Sequence, residues 1–195
     1  MAKSVVSYTP ENYLDKWRLE RLARKIRSGI NLTQFDVLDP WILADDVPAH
    51  VFYVEDLGNP EVAVRSYGAD WDGFAFQYPD DPMLMIILNS ARPLTRQNAT
   101  LMEELSHGLL RHEPSRLWKD PTTGFIRRDY DKAQEKEAYE LGAIILLPKE
   151  LIQREVERGM SIQKIASERQ CSTDLVAYRI KRCRLWKRCV KYEKE

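Results

Sequence analysis

Apolar residues at Leu14, Trp17, Leu22 and Ile26 repeat at helical spacing and predict a helix over 10–29, with Gly29 as its stop. The stretch 35–48 carries Pro and Asp and reads as loop with one short helix. Strand-like runs follow at 51–54, 62–67 and 73–77. A fourth run, 83–89, is apolar through six successive positions, as a strand buried on both faces is. Segments bearing Gly and Asp separate several of these runs, which predicts an antiparallel meander or a small mixed sheet. Leu101, Leu105 and Leu109 then recur every four residues, so 95–112 is expected to be a helix with a core-facing stripe, ended by Pro114. Residues 113–133 are polar and read as irregular. Helices are expected again at 134–147, stopped by Pro148, and at 149–157, before Gly159. The last segment, 161–192, reads as two short helices with a basic end. The fold class is α+β: a small, mostly antiparallel sheet packed on a helical core, with a helical segment at the C-terminus. The expected divisions are an N-terminal helix at 1–30, a central domain at 31–158 and a C-terminal helical segment with a basic tail at 159–195.

Composition adds limits more than content. Lys+Arg and Asp+Glu balance at 30 each among 195 residues, and 44% of residues are hydrophobic. That is an ordinary globular balance, neither disordered nor strongly basic overall. The longest apolar run is far too short to span a bilayer, and the N-terminus lacks the apolar stretch of a secretory signal. Cys171, Cys183 and Cys189 include no Cys-x-x-Cys pair and read as reduced thiols. A cytoplasmic protein with no membrane partner is expected.

The candidate chemistry lies at Glu103-Glu104-Leu105-Ser106-His107. A zinc hydrolase needs three protein ligands, an open position for water and a carboxylate to take the water's proton. The helical solution His-Glu-x-x-His puts two ligands at i and i+4 on one face, with the intervening Glu over the water. Here that spacing is kept, but the first ligand would be the carboxylate of Glu103. The other ligand is His107, and Glu104 holds the general-base position. His112, five residues past His107, lies off the 103/107 face and reads as a helix-end residue or a support for the ligands. His50 reads as structural.

The surrounding blocks resemble the ImmA/IrrE-type metallopeptidase family. A strand ending in Asn89 precedes Arg96, Thr100, Leu101, Glu104, His107, Leu109, Leu110 and His112, in step with that family's Arg-x-x-x-Thr-Leu-x-His-Glu-x-x-His-x-Leu-Leu-x-His. Glu135, Ala138, Gly142, Leu146, Leu147 and Pro148 then follow its second block. Ile165-Ala166, Cys171-Ser172, Val176 and Arg179 follow its ending. Together these blocks cover roughly residues 50 to 187. Periodicity does not choose between Glu135 and Glu137 as third ligand; the resemblance favours Glu135. It also implies a zinc-type metallo-endopeptidase that acts on a helix-turn-helix transcriptional repressor and so switches on mobile-element or stress genes.

The chain departs from the family pattern at two places, Glu103 for the first His and Tyr139 for an Asn or Asp. A tyrosine hydroxyl can donate to a carboxylate, so Glu103 and Tyr139 read as a pair that changed together. Two carboxylate ligands would weaken the ion as a Lewis acid and shift preference from zinc toward manganese. A site that has lost its metal, leaving a scaffold that binds a partner protein, is the competing expectation. A third is a DNA-binding regulator. Residues 163–180 resemble a helix-turn-helix with a basic tail, and Arg179 and Arg182 are its candidate nucleic-acid contacts. A helix pair packed on the core is favoured over that reading.

Overall fold

The computed structural model describes residues 15–57, 71–77, 83–113, 117–122, 126–128 and 131–192. The expected strand at 62–67, the start of the first helix and the end of the basic tail lie outside them. Helix α1, Lys16–Gly29, starts on Asp15, whose side chain accepts from the Arg18 amide. Leu19 and Ala23 are buried, whereas Trp17 is 74% exposed and lies under the Lys149 ammonium. The buried face is thus set by Leu19, Ala23 and Arg27, a stripe one step away from Trp17. Arg27 is fully buried because its guanidinium donates to the carbonyls of Thr33, Asp36 and Ile145, and burial pulls its pKa down to about 10. Within the expected loop, Asp39 caps a short helix α2, Pro40–Asp46, with Pro at its first position.

Strands β1 (Ala49–Tyr53), β2 (Gly73–Gln77) and β3 (Leu84–Leu88) form one sheet in the order β1-β3-β2. β1 runs parallel to β3, with Ala49 opposite Leu84; β2 runs antiparallel, with Gly73 opposite Leu88. A single 3-10 turn, Val54–Leu57, leaves β1. The apolar run of β3 is buried on both faces as expected. Ile86 and Leu88 join the main core, while Ile87 packs with Val54 and Phe74 on the other side. Asn89 ends β3 by donating from its side chain to the Trp71 carbonyl and from its backbone to Asp72, which fixes the start of β2. Gly73 is required there: a Cβ would lie 2.7 Å from Thr100 Cγ2 and 3.0 Å from the Ile87 carbonyl.

Helix α3, Leu94–Leu110, crosses helix α4, Lys132–Leu146, at close range. Gly142 permits the approach, since a Cβ would sit 3.1 Å from the Met102 carbonyl oxygen. The stripe on α3 is deeper than expected, for Leu101, Met102 and Leu105 are fully buried and Leu109 half-buried. Between these helices the segment expected to be irregular carries a hairpin, β4 (Leu117–Lys119) against β5 (Ile126–Arg128). Three-residue strands lack the length for a period to show, which is why the sequence pattern misses them.

Helix α5, Lys149–Glu157, follows Pro148 at once. Helices α6 (Ile162–Glu168) and α7 (Thr173–Arg182) start on Ser161 and Ser172, and α8 covers Trp186–Tyr192. Ala166 and Val176 are buried at the α6–α7 crossing. One contiguous hydrophobic core runs from Leu19 to Cys189, so these helices pack on the same interior as α3 and α4. The architecture is α+β, with helices dominant. Among the described residues, no helix is long and apolar enough to cross a membrane.

Candidate metal centre

Helices α3 and α4 deliver the site residues, and their crossing sets the spacing. Asp131 caps α4 by accepting from the Ala133 and Gln134 amides, which places Glu135 in the first turn, where the helix dipole favours negative charge. Across the crossing, His107 Nε2 lies 3.8 Å from Glu135 Oε1. Glu104, 5% exposed, stands on the same wall. These three side chains line a cavity of about 450 Å³. Ala75, Phe76 and Gln77 of β2 line it too, with Leu84 of β3 and Val47, both packed close to Gly108 of α3. Pro48, Arg111, His112 and Glu113 complete the lining.

Helix α3 ends in a way that adds a third group. Arg111 takes the left-handed conformation at φ 56°. Its amide donates to Gly108 and the His112 amide to His107, the paired hydrogen bonds of a Schellman ending. That turn folds His112 back, so that its Nδ1 lies 3.0 Å from His107 Nδ1. The rings meet edge to face at 4.9 Å. His112 Nε2 lies 3.2 Å from Glu137 Oε2. Burial pushes the His112 imidazole below its ordinary pKa, and the hydrogen bond and charge of Glu137 oppose that shift. His112 therefore supports His107 directly. Spacing alone could not show this, because five residues of unbroken helix would turn the two rings away from each other.

The charge of Glu103 acts on Arg96 and Tyr139. The Arg96 pKa is raised first by its hydrogen bond to Asp72, with the Glu103 charge adding to it. The Tyr139 phenol is raised first by burial and next by Glu103. Tyr139 also packs edge-on against Tyr178, with ring centroids 5.3 Å apart. So Glu103 and Tyr139 act on one another electrostatically, and His107 and Glu135 are the donors whose approach is 3.8 Å.

The approach of His107 and Glu135 bears on the fit of a metal ion. Tetrahedral zinc bound at about 2.0–2.1 Å brings neighbouring donor atoms to about 3.3 Å, so the 3.8 Å pair of His107 and Glu135 needs only a small closure. The expected triple does not assemble: among the described residues, no group of three or more His, Cys, Asp or Glu is placed to hold an ion. The structure offers two convergent donors and a carboxylate beside them, not a three-residue centre.

The candidate nucleic-acid residues are both engaged with the protein. Arg179, expected on a DNA-facing surface, is instead fully buried, donating to the Leu147 carbonyl and to Glu20 at 2.9 Å. Its position three residues after Val176 places it on the inner face of α7, a signal legible in the sequence. Arg182 binds Glu140 of α4 through Nε at 3.0 Å. His50 lies exposed on β1.

A glutamate and a histidine on one helix, and a crossing helix that adds further glutamates beside one cavity, fit a metallopeptidase-like protein. The model of the peptidase family described as the IrrE N-terminal-like domain matches residues 58–181, well over half of the chain. The chain belongs to that family. A comparison with curated proteins gives no match.

Proposed function

We propose that the groove between β2 and α3 binds an extended segment of a partner protein, and that the chain hydrolyses a peptide bond there with a divalent ion. The observation that carries this reading is that Glu104, His107 and Glu135 share with Ala75, Phe76 and Gln77 of β2 the lining of one cavity of about 450 Å³. Among the described residues β2 is an outer strand of its sheet, and Ala75, Phe76 and Gln77 bring an extended backbone to the cavity. An ion, zinc or the harder manganese, would be held by His107 and Glu135 and would supply Lewis acidity. The protein's own part is to orient the segment along β2, to keep the groove dry behind Phe76 and Leu84, and to take a proton on Glu104. By resemblance the partner is a helix-turn-helix transcriptional repressor, whose loss would switch on mobile-element or stress genes.

A second reading keeps the groove without the cleavage. The charge of Glu103, expected as a ligand, acts on Arg96 and Tyr139, and this supports a scaffold that holds its partner intact. Metal analysis of the purified chain separates the two readings. Zinc or manganese at one equivalent, lost in His107→Ala, is expected for the hydrolase. A chain that takes up neither ion at micromolar concentrations sinks that reading and leaves the scaffold.

A further inference from the structure

We propose that Glu137 and His112 are positioning residues that hold His107 in its Nδ1–H tautomer, so that its Nε2 lone pair faces Glu135 and the groove. The argument follows the proton capacity of each group. An ionised carboxylate has no proton to give, so in the 3.2 Å contact between Glu137 Oε2 and His112 Nε2 the imidazole is the donor. A neutral imidazole carries one N–H, so His112 Nδ1 is left as an acceptor. At 3.0 Å it faces His107 Nδ1, which must then carry the proton of that contact. His107 Nε2 is thereby the basic nitrogen, and it points to the side on which Glu135 lies 3.8 Å away.

Two features make this chain of contacts rigid. The side chains of His112 and Glu137 are 1% and 4% exposed, so water competes poorly for either hydrogen bond. The backbone bonds that close α3 also fix where His112 begins, through its amide on the His107 carbonyl. The two glutamates of α4 thus divide the work. Glu135 faces the outer nitrogen of His107, and Glu137 governs the inner one through His112. Sequence reasoning left them as alternatives for a single role.

The consequence for catalysis rests on the proposed function, but the tautomer does not, and the test keeps the two apart. The chain has three histidines, so long-range nitrogen–proton NMR of the 15N-labelled, chelator-stripped protein can be assigned by single substitutions. The native protein is expected to show His107 as Nδ1–H and His112 as Nε2–H. His112→Phe removes the acceptor and should return His107 to the Nε2–H form that free imidazole side chains favour. Glu137→Met keeps the bulk but leaves His112 Nε2 without its carboxylate acceptor, and should shift His107 in the same direction. Should His112→Phe fail to fold, Glu137→Met carries the test. Native His107 found as Nε2–H, His112 found doubly protonated, or a His107 tautomer unchanged in the folded variants overturns the proposal. Cobalt titration of the same samples is the second readout, with affinity expected to fall on the order of 10- to 100-fold in each variant. If the native chain binds no cobalt, the hydrolase reading fails, while the NMR result still decides the tautomer.

Discussion

Position alone explains why neighbouring acidic residues here have different surroundings. Glu103 and Glu104 are adjacent on α3, yet the first shares a cluster with Arg96 and Tyr139 while the second lines the groove. If the Glu103 charge helps hold the Tyr139 phenol above its ordinary pKa, Glu103→Gln should lower it. Absorbance titration of Glu103→Gln, with Tyr139→Phe identifying the band, measures that shift; no downward movement would remove Glu103 from the cluster. The cysteines give a second expectation at this scale. All three are buried, and burial pushes Cys171 up to about 12 and raises Cys183 as well. Ellman's reagent should label them slowly in the native protein and fully on addition of denaturant.

At the scale of elements, the α3–α4 crossing sets the distances between the two helices in the site. Gly142 meets the Met102 backbone where a Cβ would be 3.1 Å from the carbonyl oxygen, and backbone cannot swing aside as a side chain can. Gly142→Val is expected to cost about 2 kcal/mol in urea unfolding, through overpacking at the crossing. An unchanged midpoint would show that the helices have room to part. Both helices are legible in the sequence, from Leu101 and Leu105 on one and the stop at Pro148 on the other. The groove's far wall is less so. The parallel pairing of β1 with β3 leaves no trace in a local pattern, because partners distant in the chain choose it. His112 escapes a periodic reading for a related reason: its contact with His107 exists only because the helix ends between them. Arg179 shows the opposite case, a charged residue whose spacing from Val176 already marks an inward face, with Glu20 as the partner that makes burial tolerable.

Across the whole molecule, Glu155 is a junction. Fully buried, it accepts from Arg154, Arg158 and Arg169, and Arg169 also holds the Phe35 carbonyl, so α5, α6 and the segment before α2 meet at one carboxylate. Burial alone would raise its pKa; the hydrogen bonds and charges of the arginines outweigh it, and the net shift is downward from 4.5. A group whose folded pKa is depressed stabilises the fold above its unfolded pKa, and that contribution is lost as pH falls through the folded value. Stability is therefore expected to drop as acid is taken below about pH 4.5. Glu155→Gln should lower stability at neutral pH by about 2 kcal/mol and flatten the acid limb. Thermal melts across pH check both, and an acid limb of native steepness in the variant would assign it to other carboxylates. The parallel pair of β1 and β3 also bears on the order of assembly. Ala49 finds Leu84 only after a long stretch of chain has closed, whereas α6 and α7 meet through a turn of a few residues. Loop closure is slow relative to local helix contacts. During refolding, amides of the C-terminal helices should gain protection from exchange before those of β3, so the sheet that contributes to the groove is completed after the helices at the far end of the chain have met.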